Sequence, residues 1–281
     1  LLGVFFLIPG CYTEMLFHLY DLPKPNGPHT VGTVQFDWVN KDYKNLFKDD
    51  VDDNRRMMVQ FWYPGKFNEV EEPSLYSNDP IVIEALSKEY KIPPRLLKNS
   101  SKIKTNSYYD LEPIKGKKDY PLIIFSHGKG GFKSQNTVQC EELASNGYIV
   151  ASVDHSYDAL ITVFSDGSIA PYVSDNPKKV GSELEADRIT NNKLLSRVSD
   201  VKYLLDKIWD DNNYHPIFSL IDTSNVGMFG HSFGVATAVL SAQTDNRIRA
   251  IAGLDGWFEP ISEEELDRGL EVPSLHLGRK K

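Results

Sequence analysis

A chain of 281 residues is long enough to bury a sizeable core in one α/β domain. Its 31 basic residues against 39 acidic ones give a formal charge of -8 and no basic stripe, which excludes nucleic acid as an expected partner. Two cysteines, Cys11 and Cys140, exclude a disulfide framework, and neither stands at zinc-like spacing from histidines, so no metal and no cofactor is expected.

The first eight residues, Leu-Leu-Gly-Val-Phe-Phe-Leu-Ile, are too few to cross a bilayer, which takes about 20. They read either as an amphipathic packing segment or as the end of a spanning or signal segment that starts earlier. The second reading carries a membrane-surface contact and a membrane-associated or secreted location. Residues 21–29 hold Pro23, Pro25, Pro28 and Gly27 and read as an extended linker, so on that second reading residues 1–29 are an apolar, membrane-proximal segment with its linker, and 30–281 are the globular domain. Residues 33–39 and 57–63 alternate β-formers with polar residues, as antiparallel strands at a sheet edge do, with the acidic turn 49–53 between them. Residues 65–118 are polar and read as an irregular surface excursion with one helix over 81–90.

From there the pattern alternates strand and helix. Strands are expected at 121–125 and 148–153 with a helix at 135–146 between them, as in parallel sheets with crossover helices. Leu194, Leu195, Val198, Val201, Leu204, Leu205 and Ile208 recur at helical spacing and predict a helix with a buried stripe. Strands at 226–229, 248–254 and 272–277 complete a sheet of about eight strands that ends one short at its carboxyl side.

Gly230-His231-Ser232-Phe233-Gly234 joins the strand at 226–229 to a helix-compatible run at 235–240. A strand, a sharp turn and a helix around serine form a nucleophile elbow, in which the flanking glycines let strand and helix pass closely while the hydroxyl is pushed into the open. Behind it, the first N–H groups of the helix face any oxyanion formed there. Phe233 supplies one such donor. Lys129 is expected to supply the second through its backbone N–H, because Phe125-Ser126-His127-Gly128-Lys129-Gly130-Gly131 is a glycine-rich turn at a strand's carboxyl end. A phosphate-binding loop is the rival reading, and Phe132, where a glycine is required before Lys133, argues against it. His127 reads as a brace for this turn rather than as the catalytic base.

The triad acid should end a strand at the same sheet edge, and Asp255 does so directly after 248–254. The base should follow the acid. His276 is the one histidine that does, and it stands inside the last predicted strand, where histidines more often pack. His155 and His231 lie at the right edge but precede the acid. The expectation is therefore that a final strand and helix carrying the histidine are absent from this chain.

Taken together, Phe125-Ser126-His127-Gly128, Gly230-His231-Ser232-Phe233-Gly234 and Leu254-Asp255-Gly256-Trp257 resemble the platelet-activating factor acetylhydrolase family, of the lipoprotein-associated phospholipase type. Residues 142–155, Arg197-Val198-Ser199-Asp200 and 22–28 extend the likeness over residues 22–274. The resemblance implies an α/β-hydrolase fold, with a mostly parallel central sheet flanked by helices. It also implies calcium-independent removal of a short or oxidised acyl group from a glycerophospholipid. Family roles carry over as Ser232 nucleophile, Asp255 acid, and Lys129 and Phe233 oxyanion donors, although an apolar residue is the family expectation at 129. A general carboxylesterase acting on small esters, or a catalytically inactive fragment lacking its histidine, are the alternatives.

Overall fold

The computed structural model describes residues 22–48, 53–67, 72–77, 79–97, 100–116, 119–210 and 215–278. Two long strands, β1 (Thr30–Lys44) and β2 (Asn54–Gly65), pair antiparallel as their alternation suggests. After β3 (Pro73–Leu75) comes helix α1 (Pro80–Tyr90), which Pro80 opens and which Asp79 caps by accepting the Ile81 N–H. The short α2 (Pro94–Leu97), β4 (Lys104–Tyr109), β5 (Tyr120–Ser126), α3 (Thr137–Ser145) and β6 (Ile149–Asp154) follow. A small hairpin, β7 (Ile161–Val163) with β8 (Ile169–Pro171), and α4 (Pro177–Val180) lead into the long α5 (Glu183–Ile208). The chain then runs through β9 (Ile221–His231), α6 (Phe233–Thr244), β10 (Ile248–Leu254), α7 (Glu263–Arg268) and β11 (Ser274–Leu277).

Nine of these strands make one sheet in the order β11-β10-β9-β5-β6-β2-β1-β4-β3 among the described residues. The five from β11 to β6 are mutually parallel, and β2 joins them antiparallel to β6. Every residue of β6 is buried, because helices cover both faces there, and its start, Ile149-Val150-Ala151, accordingly shows no alternation. On one face α5 and α6 pack Leu194, Val201, Leu205, Ala236 and Leu240 against Phe61, Leu122, Ile124 and Met228. On the other, α3 covers Trp62, Phe125, Val150 and Phe229, with Cys140 packed among them as an apolar group.

Three expectations need correction. β1 and β2 do not form the sheet edge, since β4 pairs parallel to β1 and β3 lies beyond it. The segment 65–118 therefore supplies two strands as well as its helix. Their polar sequence hid them: the buried side of β4 is Thr105 and Ser107, satisfied by hydrogen bonds to each other (3.0 Å) and to Ser74 (2.6 and 3.1 Å) instead of by apolar packing. Leu195, assigned to a buried stripe, is 46% exposed. The helix also starts at Glu183, eleven positions before that stripe, where Ser182 Oγ accepts the Glu185 N–H. The acidic turn falls on residues 49–53, of which only Asp53 is described.

Residues 22–29 have no regular structure but are fastened to α3. Asn26 N–H donates to Glu142 Oε2 (2.8 Å), Gly27 N–H to Ser145 Oγ (3.1 Å) and His29 N–H to the Ser145 carbonyl (3.1 Å). A Cβ at Gly27 would stand 2.2 Å from that carbonyl oxygen, so only glycine fits. Between this strap, α3 and strands β5, β9 and β10 lies an apolar groove of about 730 Å³, on the sheet face and away from the elbow. The apolar run at 1–8 lies outside the described residues; among those described, no helix is long and apolar enough to cross a membrane.

Candidate active site

Ser232 stands alone between β9 and α6, at φ 52° and ψ -114°. A non-glycine residue at such a φ costs on the order of 1–3 kcal/mol and persists only where its surroundings dictate it. Here they do. Its N–H donates to the Leu254 carbonyl (2.9 Å), and its own carbonyl accepts the N–H groups of Val235 (3.0 Å) and Trp257 (3.1 Å). A Cβ at Gly230 would meet the Gly234 backbone at 2.2 Å, and one at Gly234 would meet the Ser126 carbonyl oxygen at 2.0 Å. Both glycines are thus required by the crossing itself.

Asp255 shares the unusual backbone, at φ 50°, and its N–H donates to the Leu277 carbonyl (2.7 Å). In register, His231 lies beside Leu254 and Gly230 beside Ser126. Ser232, Asp255 and the loop after Ser126 therefore gather at one edge of the sheet, and Phe233 opens the helix behind the serine. His276 does not join them. It pairs with Gly253, one residue short of that edge, and is exposed with its ring against Phe258 (5.5 Å). Among the described residues no histidine nitrogen is hydrogen-bonded to Ser232, and no cluster of three His, Cys, Asp or Glu could hold a metal.

The glycine-rich loop spends its N–H groups unevenly. Gly128 donates to Gln135 Oε1 (3.1 Å), Gly130 to the Asp158 carbonyl (3.1 Å) and Gly131 to the Gly128 carbonyl (2.9 Å). No protein acceptor takes the Lys129 N–H among the described residues. That arrangement suits a donor held ready for a developing negative charge. His231 presses on the same loop, with Nδ1 accepting from Gln135 Nε2 (2.8 Å). Lys129 sends its ammonium to Asp175 (2.7 Å) and over the Trp257 ring, 5.0 Å from its centre.

Beneath the loop lies a fully buried polar network that periodicity did not anticipate. Arg197 on α5 donates to the carbonyls of His127 (2.7 Å) and Gly128 (3.3 Å), to Ser126 Oγ (3.2 Å) and to the Asp158 carboxylate. Burial works against ionised Asp158, yet Arg197 and Lys193 bring its pKa down to about 2. His127 Nε2 accepts the His155 N–H (3.2 Å), so Nδ1 carries the proton and donates to the Gly128 carbonyl (2.7 Å). The 3.3 Å approach of Arg197 to that Nδ1 is then a donor beside a donor, not a hydrogen bond. Burial, and next to it the Arg197 charge, keeps His127 neutral.

His155 bridges Ser126 and Asp200. Its Nδ1–H donates to Asp200 Oδ2 (2.9 Å) and its Nε2 accepts from Ser126 Oγ (2.9 Å). Burial first, then Arg197, lower its pKa to about 4 against the pull of Asp200. Asp200 is in turn clamped by Nε and Nη2 of the Arg55 guanidinium, which donate to its two oxygens (2.9 and 2.7 Å). Ser126, His155 and Asp200 have the composition of a catalytic triad, but all three are 0% exposed, so no substrate reaches them. They brace the loop. The available signal was the spacing of Lys193, Arg197 and Asp200, which at i, i+4 and i+7 share one helix face.

The family model described as platelet-activating factor acetylhydrolase, isoform II, matches residues 15–280. The chain belongs to that family. Among its relatives, platelet-activating factor acetylhydrolase of Cavia porcellus is 28% identical over 267 residues, covering 86% of this chain and 57% of that protein. A probable 1-alkyl-2-acetylglycerophosphocholine esterase of Arthroderma benhamiae is 23% identical, covering 97% and 68%. The chain thus spans about half the length of the animal acetylhydrolases it matches, from 44% to 57%. Among solved structures, a ferulic acid esterase from Streptomyces cinnamoneus superposes with a TM-score of 0.73 at 27% identity, over 92% of this chain and 68% of that one. The fold is the α/β-hydrolase fold common to such esterases, as the resemblance implied.

Proposed function

We propose that this acetylhydrolase-family chain carries the nucleophile, acid and oxyanion donors of a serine esterase that cleaves the short or oxidised sn-2 acyl ester of glycerophospholipids. The observation that carries the reading is Ser232 held at φ 52° at the sheet edge, beside a loop whose Lys129 N–H has no protein acceptor among the described residues. Ser232 Oγ attacks the ester carbonyl, and the tetrahedral oxyanion is met by the N–H groups of Lys129 and Phe233. The lysophospholipid alcohol leaves with a proton, and water then releases the acyl group and restores Ser232. Asp255 would orient the imidazole that moves these protons, a group that none of the described residues brings to Ser232. The apolar sequence at 1–8 would bring the enzyme to a lipid surface, in a membrane-associated or secreted setting.

The test is Ser232→Ala in the full-length protein, assayed with a short-chain phosphatidylcholine, where turnover should fall by at least about 10³-fold. Retained turnover overturns the assignment. A second reading, a carboxylesterase of broader range, is favoured by the ferulic acid esterase likeness. Comparing the phospholipid with an aryl ester of equal acyl length separates the two.

A further inference from the structure

We propose that the Lys129 side chain is the phosphate-recognition group of the site, binding the phosphodiester of the glycerophospholipid whose sn-2 ester lies at Ser232. This deepens the proposed function and rests on it.

Three observations on the molecule carry it. The first is position. The ammonium lies over the Trp257 ring, 5.0 Å from its centre, and that ring stands 5.1 Å from Phe233 while the Trp257 backbone N–H is bonded to the Ser232 carbonyl. One ring thus separates the cation from the residues around the nucleophile, and its side chain is 34% exposed.

The second is charge. Lys129, Lys193 and Arg197 face two carboxylates, Asp158 and Asp175, in one contiguous cluster. Asp175 is divided among Lys129 (2.7 Å), Lys193 (3.4 Å), Tyr172 Oη (2.9 Å) and Thr190 Oγ1 (3.1 Å). Glu89 acts on this cluster only as a longer-range influence on Tyr172. His127 is held neutral, and the neighbouring Arg55 and Asp200 cancel each other. Within that cluster the cations exceed the carboxylates by one, and because Lys193 and Arg197 are sealed in, the accessible cation is Lys129; Asp255 at the same sheet edge and Glu259, which accepts the Trp257 indole N–H (3.0 Å), are the further carboxylates nearby. Lys129 is thus the accessible cation beside the nucleophile, the group that an anionic part of a ligand would meet there.

The third is reach. In the proposed function the Lys129 N–H meets the acyl oxyanion, and five bonds separate its Cα from Nζ, a span of about 6 Å when extended. In a glycerophospholipid five bonds also separate the sn-2 carbonyl carbon from phosphorus. One residue can thus hold the reacting ester by its backbone and the phosphate by its side chain.

The experiment compares dibutyryl phosphatidylcholine with 1,2-dibutyrylglycerol, the same ester without the phosphodiester, in full-length wild type, Lys129→Met and Lys129→Arg. The readout is the ratio of the two kcat/KM values, which cancels any general loss of active enzyme. We expect Lys129→Met to lower the ratio about tenfold, chiefly through KM for the phospholipid, and Lys129→Arg to keep it within about threefold. A ratio unchanged in Lys129→Met, or as low in Lys129→Arg as in Lys129→Met, overturns the phosphate assignment while leaving the esterase intact. No Ser232-dependent turnover of either ester by wild type overturns the proposed function, and the inference with it.

Discussion

Replacing Arg197 with methionine removes the cation around which the glycine-rich loop at 128–131 is folded. Its guanidinium is wholly buried and meets Asp158, the carbonyls of His127 and Gly128, and Ser126 Oγ. Removing one member of a buried ion pair costs about 3–5 kcal/mol, because the partner keeps its desolvation penalty without its attraction. Lys193 still stands 3.3 Å from the second Asp158 oxygen, which favours the lower end of that range. The stranded carbonyls add about 1–3 kcal/mol. The total, about 4–6 kcal/mol, corresponds to a fall in Tm on the order of 10 °C for a chain of this size. Thermal and chemical denaturation of the full-length protein measure it directly. Arg197→Lys should be intermediate, since a single ammonium cannot reproduce the fork. The double variant Arg197→Met/Asp158→Leu should be more stable than Arg197→Met alone, because the orphaned carboxylate leaves as well. A loss under about 1 kcal/mol in Arg197→Met, within the ordinary effect of a point substitution, refutes the reasoning.

Gly234→Ala should abolish accumulation of folded protein, at a cost of more than about 3 kcal/mol, because its Cβ would sit 2.0 Å from the rigid Ser126 carbonyl. Gly278→Ala, with nothing within 4 Å of its Cβ, should stay within about 0.5 kcal/mol of wild type in chemical denaturation. Acid should destabilise the fold through His155. Its pKa is about 4 when folded against about 6.5 unfolded, so between those values the unfolded chain binds more protons and stability falls as pH falls, by about 3 kcal/mol in all. His127, also depressed, steepens the same slope. Denaturation midpoints followed from pH 7 to 4 should decline, less so in His155→Asn; a flat profile contradicts a neutral buried pair.

The elements that sequence made legible are those whose exposure follows polarity. β5, β6, β9 and β10 stand within a few residues of their expected places apart from the longer start of β9, and Ser232 lies on the expected strand, turn and helix. The elements it hid are those in which polar groups are buried and satisfied. β4 presents Thr105 and Ser107 inward, so no alternation marks it. On α5, Lys193, Arg197 and Asp200 take inward places while Leu195 faces water, the reverse of what hydropathy assigns. Only the three-dimensional convergence of His127, Asp158 and Ser126 on that face supplies the partners that make such burial affordable. His155 illustrates the same point from the other side: its place at the sheet edge suggested chemistry, and its contacts with Ser126 and Asp200 make it a brace.

The hydroxyl proposed as the nucleophile is that of Ser232, not that of the triad-like Ser126. Treating the full-length protein with a fluorophosphonate and mapping the adduct by peptide mass spectrometry tests it most directly. A single adduct is expected on the peptide containing Ser232, absent in Ser232→Ala. An adduct on Ser126, or one that survives the Ser232→Ala substitution, contradicts it.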